Sequence, residues 1–176
     1  MVRLLKRQGV PYMLMGGMAL AVWGRSRFTH DVDLAIALPE KEFPHFLEVL
    51  KKAFFLPAPP RPMLGSRLIA CRYLKPSKGL PVQVDLLLAR GIYQEQALQR
   101  AVTVSLGSLH LRVVSPEDLI LLKLLAGRPM DELDVLAVLQ EQAKTLDRKY
   151  LKHWARHLGL AKQLSALSGK APRFFP

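Results

Sequence analysis

The spacing of the apolar residues changes once along this chain, and that change limits the folds that the chain can adopt. Up to about residue 113, short apolar runs of strand length alternate with helical segments. Beyond that point the apolar residues recur at helical spacing. The order predicts an α/β (α+β) core over residues 1–113 and a helical C-terminal part over residues 114–176, packed on or next to the core.

Within the core, six apolar segments have the length of strands. They are Val10–Met15, Val32–Leu38, Leu68–Leu74, Val82–Leu88, Val102–Leu106 and Leu109–Val113. The last two are predicted to form a hairpin across Gly107–Ser108, and the spacing over Glu40–Phe55 predicts an amphipathic helix. The proline-rich Pro57–Pro62 predicts a stiff, extended loop.

The C-terminal part begins with a well-marked helix start. In Ser115–Asp118 the serine can cap, the proline suits the first helical position and the acidic residues favour the first turn. Gly127 and Pro129 are predicted to end this helix. Three further helices are predicted over Asp131–Lys144, Asp147–Leu158 and Leu160–Leu167.

The charge is basic and unevenly distributed. The chain carries +12 at pH 7, and Asp147–Pro176 holds seven basic residues and one acidic residue, a net charge of +6. A basic excess of this size is typical of proteins that bind polyanions such as nucleic acid or nucleotides. We therefore expect Arg148, Lys149, Lys152 and Arg156 to dock a structured RNA such as tRNA; the alternative is a solubilising surface.

The cysteine content and the N-terminal region bear on localisation. Cys71, the single cysteine, cannot form an intramolecular disulfide, which suits a reducing, cytoplasmic compartment. The apolar stretch Tyr12–Trp23 follows basic residues, as in a signal peptide, but Gly16–Gly17 interrupts it. The stretch is also too short to span a bilayer. We expect a cytoplasmic protein without membrane association.

Asp31 and Asp33 are two residues apart in a predicted strand. Side chains at this spacing point to the same side, so the two carboxylates project together while Val32 and Leu34 face the other way. Like charges side by side repel unless a cation lies between them, and a divalent cation with oxygen ligands suits this arrangement. On its own the pair is also common at the exposed end of a strand.

Asp85 lies within the apolar segment Val82–Leu88, where an unpartnered carboxylate would be costly. One interpretation is a salt bridge to an arginine such as Arg72 or Arg90. The other is a third metal ligand on a neighbouring strand, since three carboxylates can hold two Mg²⁺ ions, one for the attacking hydroxyl and one for a triphosphate.

Gly16–Gly17 separates a predicted strand from a short predicted helix. Glycine allows the backbone to approach a phosphate closely, and the N-terminus of the following helix presents free N–H groups to an anion. An ordinary turn is the alternative, but this pair precedes the Asp31–Asp33 strand by a short distance.

Taken together, these residues resemble a known family. Gly16–Gly17, Gly24, Arg27, Thr29, Asp31, Asp33 and Asp85 resemble the pattern of the DNA polymerase β-like nucleotidyltransferase superfamily, and in particular its small prokaryotic branch related to AbiEii-type toxins. The run from Ser115 through Lys123, Arg128 and Asp131 to Asp134 is similar to the same branch. The resemblance covers about residues 10–140.

The resemblance implies a mixed, twisted β-sheet flanked by helices that binds a nucleoside triphosphate, ATP among the candidates, with Mg²⁺ or Mn²⁺. It assigns phosphate binding to Gly16 and Gly17, metal binding to Asp31, Asp33 and Asp85, and activation of the acceptor hydroxyl to Asp85. Arg27 and Thr29 would contact a phosphate or anchor their loop. Many relatives have serine at the position of Gly17.

The helical part adds two candidate phosphate contacts. Lys123 and Arg128 are expected to contact phosphates, with ordinary surface charge as the alternative.

Two hypotheses for the function remain open. The expected function is transfer of a nucleotide monophosphate from a triphosphate to a hydroxyl on RNA such as tRNA, on protein or on a small molecule. The alternative is a non-catalytic nucleotide- or RNA-binding component of a toxin–antitoxin type system, with a partner or antitoxin protein.

Overall fold

The computed structural model describes residues 1–26, 28–54, 56, 61–63, 66–72 and 82–171, the backbone alone at 61–63 and 66–72. The described strands are β1 Tyr12–Met15, β2 Asp31–Ile36, β3 Arg61–Met63, β4 Ser66–Arg72, β5 Gln83–Leu88, β6 Val102–Leu106 and β7 Leu109–Val113. The described helices are α1 Val2–Arg7, α2 Gly16–Trp23, α3 Phe43–Ala53, α4 Ile92–Arg100, α5 Pro116–Ala126, α6 Pro129–Glu141, α7 Arg148–His157 and α8 Ala161–Lys170. A 3₁₀ turn, Glu40–Glu42, precedes α3.

The described strands form one seven-stranded sheet in the order β3-β4-β5-β2-β1-β7-β6. β2 runs parallel to β5 and β1 runs parallel to β7, whereas the other neighbours are antiparallel. The mixed sheet with helices is the fold class expected from the sequence, and the expectation is confirmed. β2, which carries two of the candidate carboxylates, lies in the interior of the sheet between β5 and β1.

Burial alternates along β5. Val84, Leu86 and Leu88 are buried, and Asp85 between them is half-buried, because successive side chains of a strand point to opposite faces. Burial along β2 changes once instead. Leu34, Ala35 and Ile36 are all buried, whereas Asp31, Val32 and Asp33 in the first half of the strand are half-buried.

The C-terminal helices share the core of the sheet. One cluster of buried apolar residues extends from Leu5 near the N-terminus to Leu167 in α8. Trp23 Nε1 at the end of α2 donates to the carbonyl of Val114 (2.6 Å), and Gln142 Nε2 after α6 donates to the carbonyl of Trp23 (3.0 Å). Among the described residues, no helix combines the length and the apolar character that crossing a bilayer requires.

Two described elements were not predicted. α4 was missed because only a few of its side chains, Tyr93, Ala97 and Leu98, are buried, and most of its other residues are polar. β3 occupies part of the segment expected to be a loop; a proline is tolerated there because β3 is an edge strand. The sequence also predicts a turn at Lys78–Gly79, between the predicted strands Leu68–Leu74 and Val82–Leu88, and this turn lies outside the described residues.

Two predicted boundaries need correction. Gly16 and Gly17 form the first turn of α2 rather than a separate turn before it. Pro129 does not end α5, which stops at Gly127 in the left-handed conformation (φ +61°); it begins α6. Proline suits that position because the N–H that it lacks has no partner within the helix.

Candidate functional site

The sheet register brings the three predicted carboxylates together. Asp31 and Asp33 lie two apart on β2, and Asp33 is the direct neighbour of Asp85 on the parallel strand β5. Residues in register on adjacent strands are separated by about 4.8 Å and point to the same face. Asp33 therefore has one carboxylate beside it along its own strand and another across the strand pair.

Asp33 has an environment that disfavours its charge. Burial raises the pKa of its carboxyl above the usual range, and the negative charges of Asp85 and Asp31 raise it further. The positive charges of Arg128 and Lys123 oppose this rise without cancelling it. Burial and the two neighbouring carboxylates thus disfavour the ionised form of Asp33 more than the two cations favour it.

Gly16 lies directly against Asp33. Its φ is +64°, a conformation that L-residues other than glycine adopt at a cost, and a Cβ there would lie 1.9 Å from Oδ2 of Asp33. A side chain at this position would therefore displace the carboxylate. The first residue of the predicted phosphate-binding pair touches the predicted metal-binding residue.

Gly17 contacts Thr29 instead. A Cβ at Gly17 would lie 2.9 Å from both Cβ and Oγ1 of Thr29, in the loop before β2. Of the two glycines only Gly16 has a positive φ, so the requirement for a glycine backbone conformation belongs to Gly16. Arg27, predicted to act in the same loop, lies outside the described residues.

Lys123 is placed differently from the sequence-based expectation. It is neither a surface charge nor an ammonium left free for a phosphate, since it is 3% exposed. Its Nζ donates to Oδ1 of Asp131 (2.9 Å) and to Oδ2 of Asp134 (2.6 Å), both on α6. The physical reason for the correction is burial, because a cation between packed helices must have anionic partners.

Arg128, unlike Lys123, is an accessible cation near the site. Its side chain is 66% exposed, and its Nε and Nη2 donate to the two oxygens of Asp131 at 2.8 and 3.1 Å. The same Asp131 accepts from Lys123, so one carboxylate connects the buried cation to the exposed one. Burial alone would raise the pKa of Asp131, but these hydrogen bonds outweigh it and the pKa is lowered.

The carboxylates of Asp31, Asp33 and Asp85 have the chemistry that binds a divalent cation, although their oxygens do not point to one common position. Within the described ranges, no three histidine, cysteine, aspartate or glutamate side chains are arranged to hold a metal ion. Both oxygens of Asp85 accept instead from Nε2 of Gln83, at 3.1 and 3.3 Å. Carboxylate oxygens are nonetheless the ligands that Mg²⁺ and Mn²⁺ prefer, and a cation would offset both the burial of Asp33 and the charges of its two neighbours.

Of the two arginines considered as salt-bridge partners of Asp85, only Arg90 has a described side chain. Arg90 pairs with Glu40, at the other end of β5. The side chain of Arg72 lies outside the described part of the chain.

Gln83, Asp131 and Asp134 received no role from the sequence. Gln83 lies two residues before Asp85 on the same face of β5, and that spacing was available as a signal. Asp131 and Asp134 are three apart on α6, which places them on one helix face. Only the packing of α5 against α6 shows that this face meets Lys123.

The comparisons with known proteins bear on the family and the fold. A family model described as "Nucleotidyl transferase AbiEii toxin, Type IV TA system" matches residues 3–159. No curated protein matches the chain significantly.

Solved structures share the fold at low identity. The lincosamide antibiotic adenylyltransferase LnuA, with lincomycin bound, is 12% identical with a TM-score of 0.53, and the match covers 78% of this chain and 90% of that one. The solution structure of the antibiotic-resistance factor ANT(2'')-Ia is 12% identical with a TM-score of 0.51, covering 94% of this chain and 92% of that one. At these identities the likeness establishes the fold alone. Because the family model spans nearly the whole chain, the protein belongs to the AbiEii nucleotidyltransferase toxin family and is a nucleotidyltransferase.

Proposed function

We propose that this protein transfers a nucleotide monophosphate from a nucleoside triphosphate to a hydroxyl group, with Mg²⁺ or Mn²⁺ bound by Asp31, Asp33 and Asp85. The observation that carries the proposal is the position of Asp33. It lies beside Asp85 in register, two residues from Asp31, and against the backbone of Gly16. A phosphate held at the start of α2 would therefore lie next to a metal held by the carboxylates.

The start of α2 supplies the phosphate-binding part of the proposal. The first turn of a helix has backbone N–H groups without partners in the helix, and its dipole favours an anion. α2 begins at Gly16, directly after β1, and no side chain caps it. Thr29 packs against Gly17 and would keep the loop before β2 close to this turn.

Arg128 is the cation that we expect to contact the triphosphate. Asp131 holds its guanidinium through Nε and Nη2, which leaves Nη1 and the exposed edge for a second anion. Lys123 then acts as a positioning residue, since it fixes Asp131 from the buried side. This revises the phosphate contact expected of Lys123.

The reaction requires few groups from the chain. The acceptor hydroxyl attacks the α-phosphorus, the bond from that phosphorus to the bridging oxygen breaks, and pyrophosphate leaves. Asp85 accepts the hydroxyl proton, for which Gln83 must release its hydrogen bonds to the carboxylate. A bound divalent cation would supply neutralisation of the charge on the phosphates and would lower the pKa of the attacking hydroxyl.

The biological setting follows from the family. Its description as a toxin of a type IV toxin–antitoxin system supports a role in which the transfer harms the cell and an antitoxin opposes it. RNA is the first acceptor to examine, since a net charge of +12 favours association with polyanions. Protein and small-molecule acceptors are the other two classes.

The position of the label in the triphosphate tests the reaction class. Each of the four triphosphates, labelled at either the α- or the γ-phosphate, is incubated with Mg²⁺ and with total RNA, protein or a small-molecule extract. We expect the α-label alone to enter the acceptor, and chelation of the metal to abolish the transfer. Transfer of the γ-label would show a phosphoryl transferase and contradict the proposal.

Variants separate the enzyme from the non-catalytic alternative. Asp85→Asn should bind triphosphate but lose transfer by orders of magnitude, because it removes the base and one metal ligand. Glu48→Gln, which neutralises an exposed carboxylate of α3, is the control and should keep full activity. If the unaltered protein binds triphosphate tightly and labels no acceptor, the nucleotide-binding component is the better description.

A further inference from the structure

A cavity of about 770 Å³ lies between α6, α7 and α8. Eight of its fourteen described lining residues are apolar. Four of these are alanines, and the others are Leu139, Leu146, Leu151 and Leu164. Cavities of this volume are large enough to bind several apolar side chains of a partner or a drug-sized molecule. No part of the proposed nucleotide transfer uses it.

The cavity is remote from the carboxylates. Leu139 and Gln140, at the C-terminal end of α6, line it, whereas Arg128, whose charge acts on Asp33, precedes α6 at the opposite end. The helical rise between these two residues amounts to about 18 Å. A ligand in the cavity would therefore leave the nucleotide site accessible.

A row of cations borders the cavity. Arg148, Lys152 and Arg156 recur every fourth residue on α7, which aligns them over about 12 Å of the helix. No acidic residue is among the described residues that line the cavity. Arg148 donates to the carbonyl of Ala143 (3.2 Å), and the side chains of Lys152 and Arg156 have no hydrogen-bond or ion-pair partner among the described residues.

From this juxtaposition we infer that α6, α7 and α8 form a docking site for an acidic amphipathic helix of a partner protein. Apolar side chains of that helix at positions i, i+3, i+4 and i+7 enter the cavity, and its flanking carboxylates face the cation row. RNA would use the cations but not the leucine lining. A small amphipathic anion would use the cavity but only one of the three cations.

The chain itself offers a competing occupant. Residues 172–176, Pro-Arg-Phe-Phe-Pro, follow Ala171, which lines the cavity. Phe174 and Phe175 suit an apolar site, but Arg173 would add a cation to a lining that already has three. Charge complementarity therefore favours an acidic partner.

The first test uses a synthetic helix as the probe. A fluorescein-labelled peptide of about five helical turns carries leucines along one face and glutamates along its flanks. A second peptide has the same composition but distributes the leucines around the helix. Fluorescence anisotropy with the full chain should show saturable binding of the first peptide and much weaker binding of the second; no binding, or equal binding, overturns the inference.

Paired variants then locate the site. Lys152→Gln combined with Arg156→Gln should weaken binding about tenfold, since the loss of each exposed ion pair lowers the affinity about threefold. The matched control, Lys149→Gln with Lys162→Gln, removes the same charge from exposed residues outside the lining and should change the affinity little. Ser165→Trp should obstruct the cavity, whereas Ala166→Trp, exposed on the same helix but outside the lining, should not.

Two further results would overturn the inference in favour of a different occupant. Total tRNA serves as the RNA probe. If both charge variants lose the same affinity for tRNA, and if tRNA displaces the peptide, the surface is a general polyanion site. If the peptide binds only after Phe174→Ser and Phe175→Ser, the cavity belongs to the end of the chain. Triphosphate binding and the circular dichroism spectrum should be unchanged in every variant.

Discussion

The carboxylate of Asp33 lies against Gly16 on one side and beside Asp85 on the other. Burial and two neighbouring negative charges raise its pKa, so the fold is less stable when Asp33 is ionised. Residues with this property are common at functional sites, where a ligand rather than the fold compensates the charge.

Removing this charge should stabilise the metal-free protein. Because the pKa of Asp33 is raised on folding, its ionised form lowers stability at a pH above that pKa, and the loss disappears as the pH falls through it. Asp33→Asn should therefore raise the Tm in EDTA at pH 8 by a few degrees, with a smaller gain at acidic pH, while nucleotidyl transfer is lost. Thermal unfolding across the pH range measures the difference; a lower Tm at pH 8 would contradict this account.

Gly16→Ala should affect both stability and activity, and Gly9→Ala only stability. Both glycines have a φ of +64°, so alanine costs about 1–2 kcal/mol in backbone strain at either position. At Gly9 a Cβ meets nothing within 4 Å, but at Gly16 it collides with the carboxylate of Asp33. Denaturant unfolding should show a loss of stability at both positions, at least as large at Gly16 as at Gly9, and the transfer assay should show a loss of activity at Gly16 alone.

At the scale of elements, α5 and α6 are joined by a buried ionic cluster. Lys123 on α5 is held between Asp131 and Asp134 on α6. Such clusters contribute little net stability when complete, but removal of one partner leaves charges buried and unpaired.

Lys123→Met should destabilise the fold by about 3–5 kcal/mol, because Asp131 and Asp134 lose a buried counter-charge. Adding Asp134→Asn should recover part of the loss. The control is Lys51→Met, which breaks an exposed pair with Glu48 and should cost at most ~1 kcal/mol. Urea unfolding curves compare the three variants; equal costs for Lys123→Met and Lys51→Met would show that the buried cluster is not what holds the helices.

α7 is joined to α5 through Asp118. This carboxylate is fully buried, and it accepts from Tyr150 Oη (2.7 Å) and Ser115 Oγ (2.8 Å). Burial raises its pKa, and these two hydrogen bonds oppose the rise. The Tyr150 ring also lies under the guanidinium of Arg100, 3.7 Å from the ring centroid.

Tyr150→Phe isolates the hydroxyl, since the ring under Arg100 remains. One oxygen of Asp118 loses its donor, at a cost of about 1–3 kcal/mol. The pKa of Asp118 rises further, so the cost should be greatest at neutral pH and should diminish as the pH falls through that raised pKa. Stability measured from pH 4 to pH 8 tests this, and a deficit that does not vary with pH would assign the effect to packing.

We expect the helical part to fold together with the sheet. One apolar cluster includes residues of both, and Trp23 bonds to the carbonyl of Val114, at the junction. Shared burial of this kind couples the parts into one cooperative unit.

The two tryptophans of the chain, Trp23 in α2 and Trp154 in α7, can report on each part separately. Trp154→Phe leaves fluorescence from the sheet region, and Trp23→Phe leaves it from the helical part. We expect the denaturation midpoint from fluorescence to coincide with that from circular dichroism within each variant. A fluorescence transition separated from the circular dichroism transition would indicate two independent domains.

The sequence alone was sufficient for the fold class, the family and the alignment of the carboxylates. Strand and helix periods follow from local backbone geometry, so the spacing of Asp31 and Asp33 already implied a shared face. The family pattern then supplied the mixed sheet. Asp85 on a separate strand could be suspected because a carboxylate among apolar residues needs a partner.

Contacts between distant segments were decided only by the tertiary structure. No local pattern shows that Lys123 meets Asp131 and Asp134, that a Cβ at Gly16 would strike Asp33, or that leucines of α6 and α8 leave a cavity beside the cations of α7. α4 was not predicted for the same reason, since few of its side chains are buried and the packing of the chain decides which ones they are. Periodicity records which face of an element is apolar, whereas the position of that face depends on how the whole chain packs.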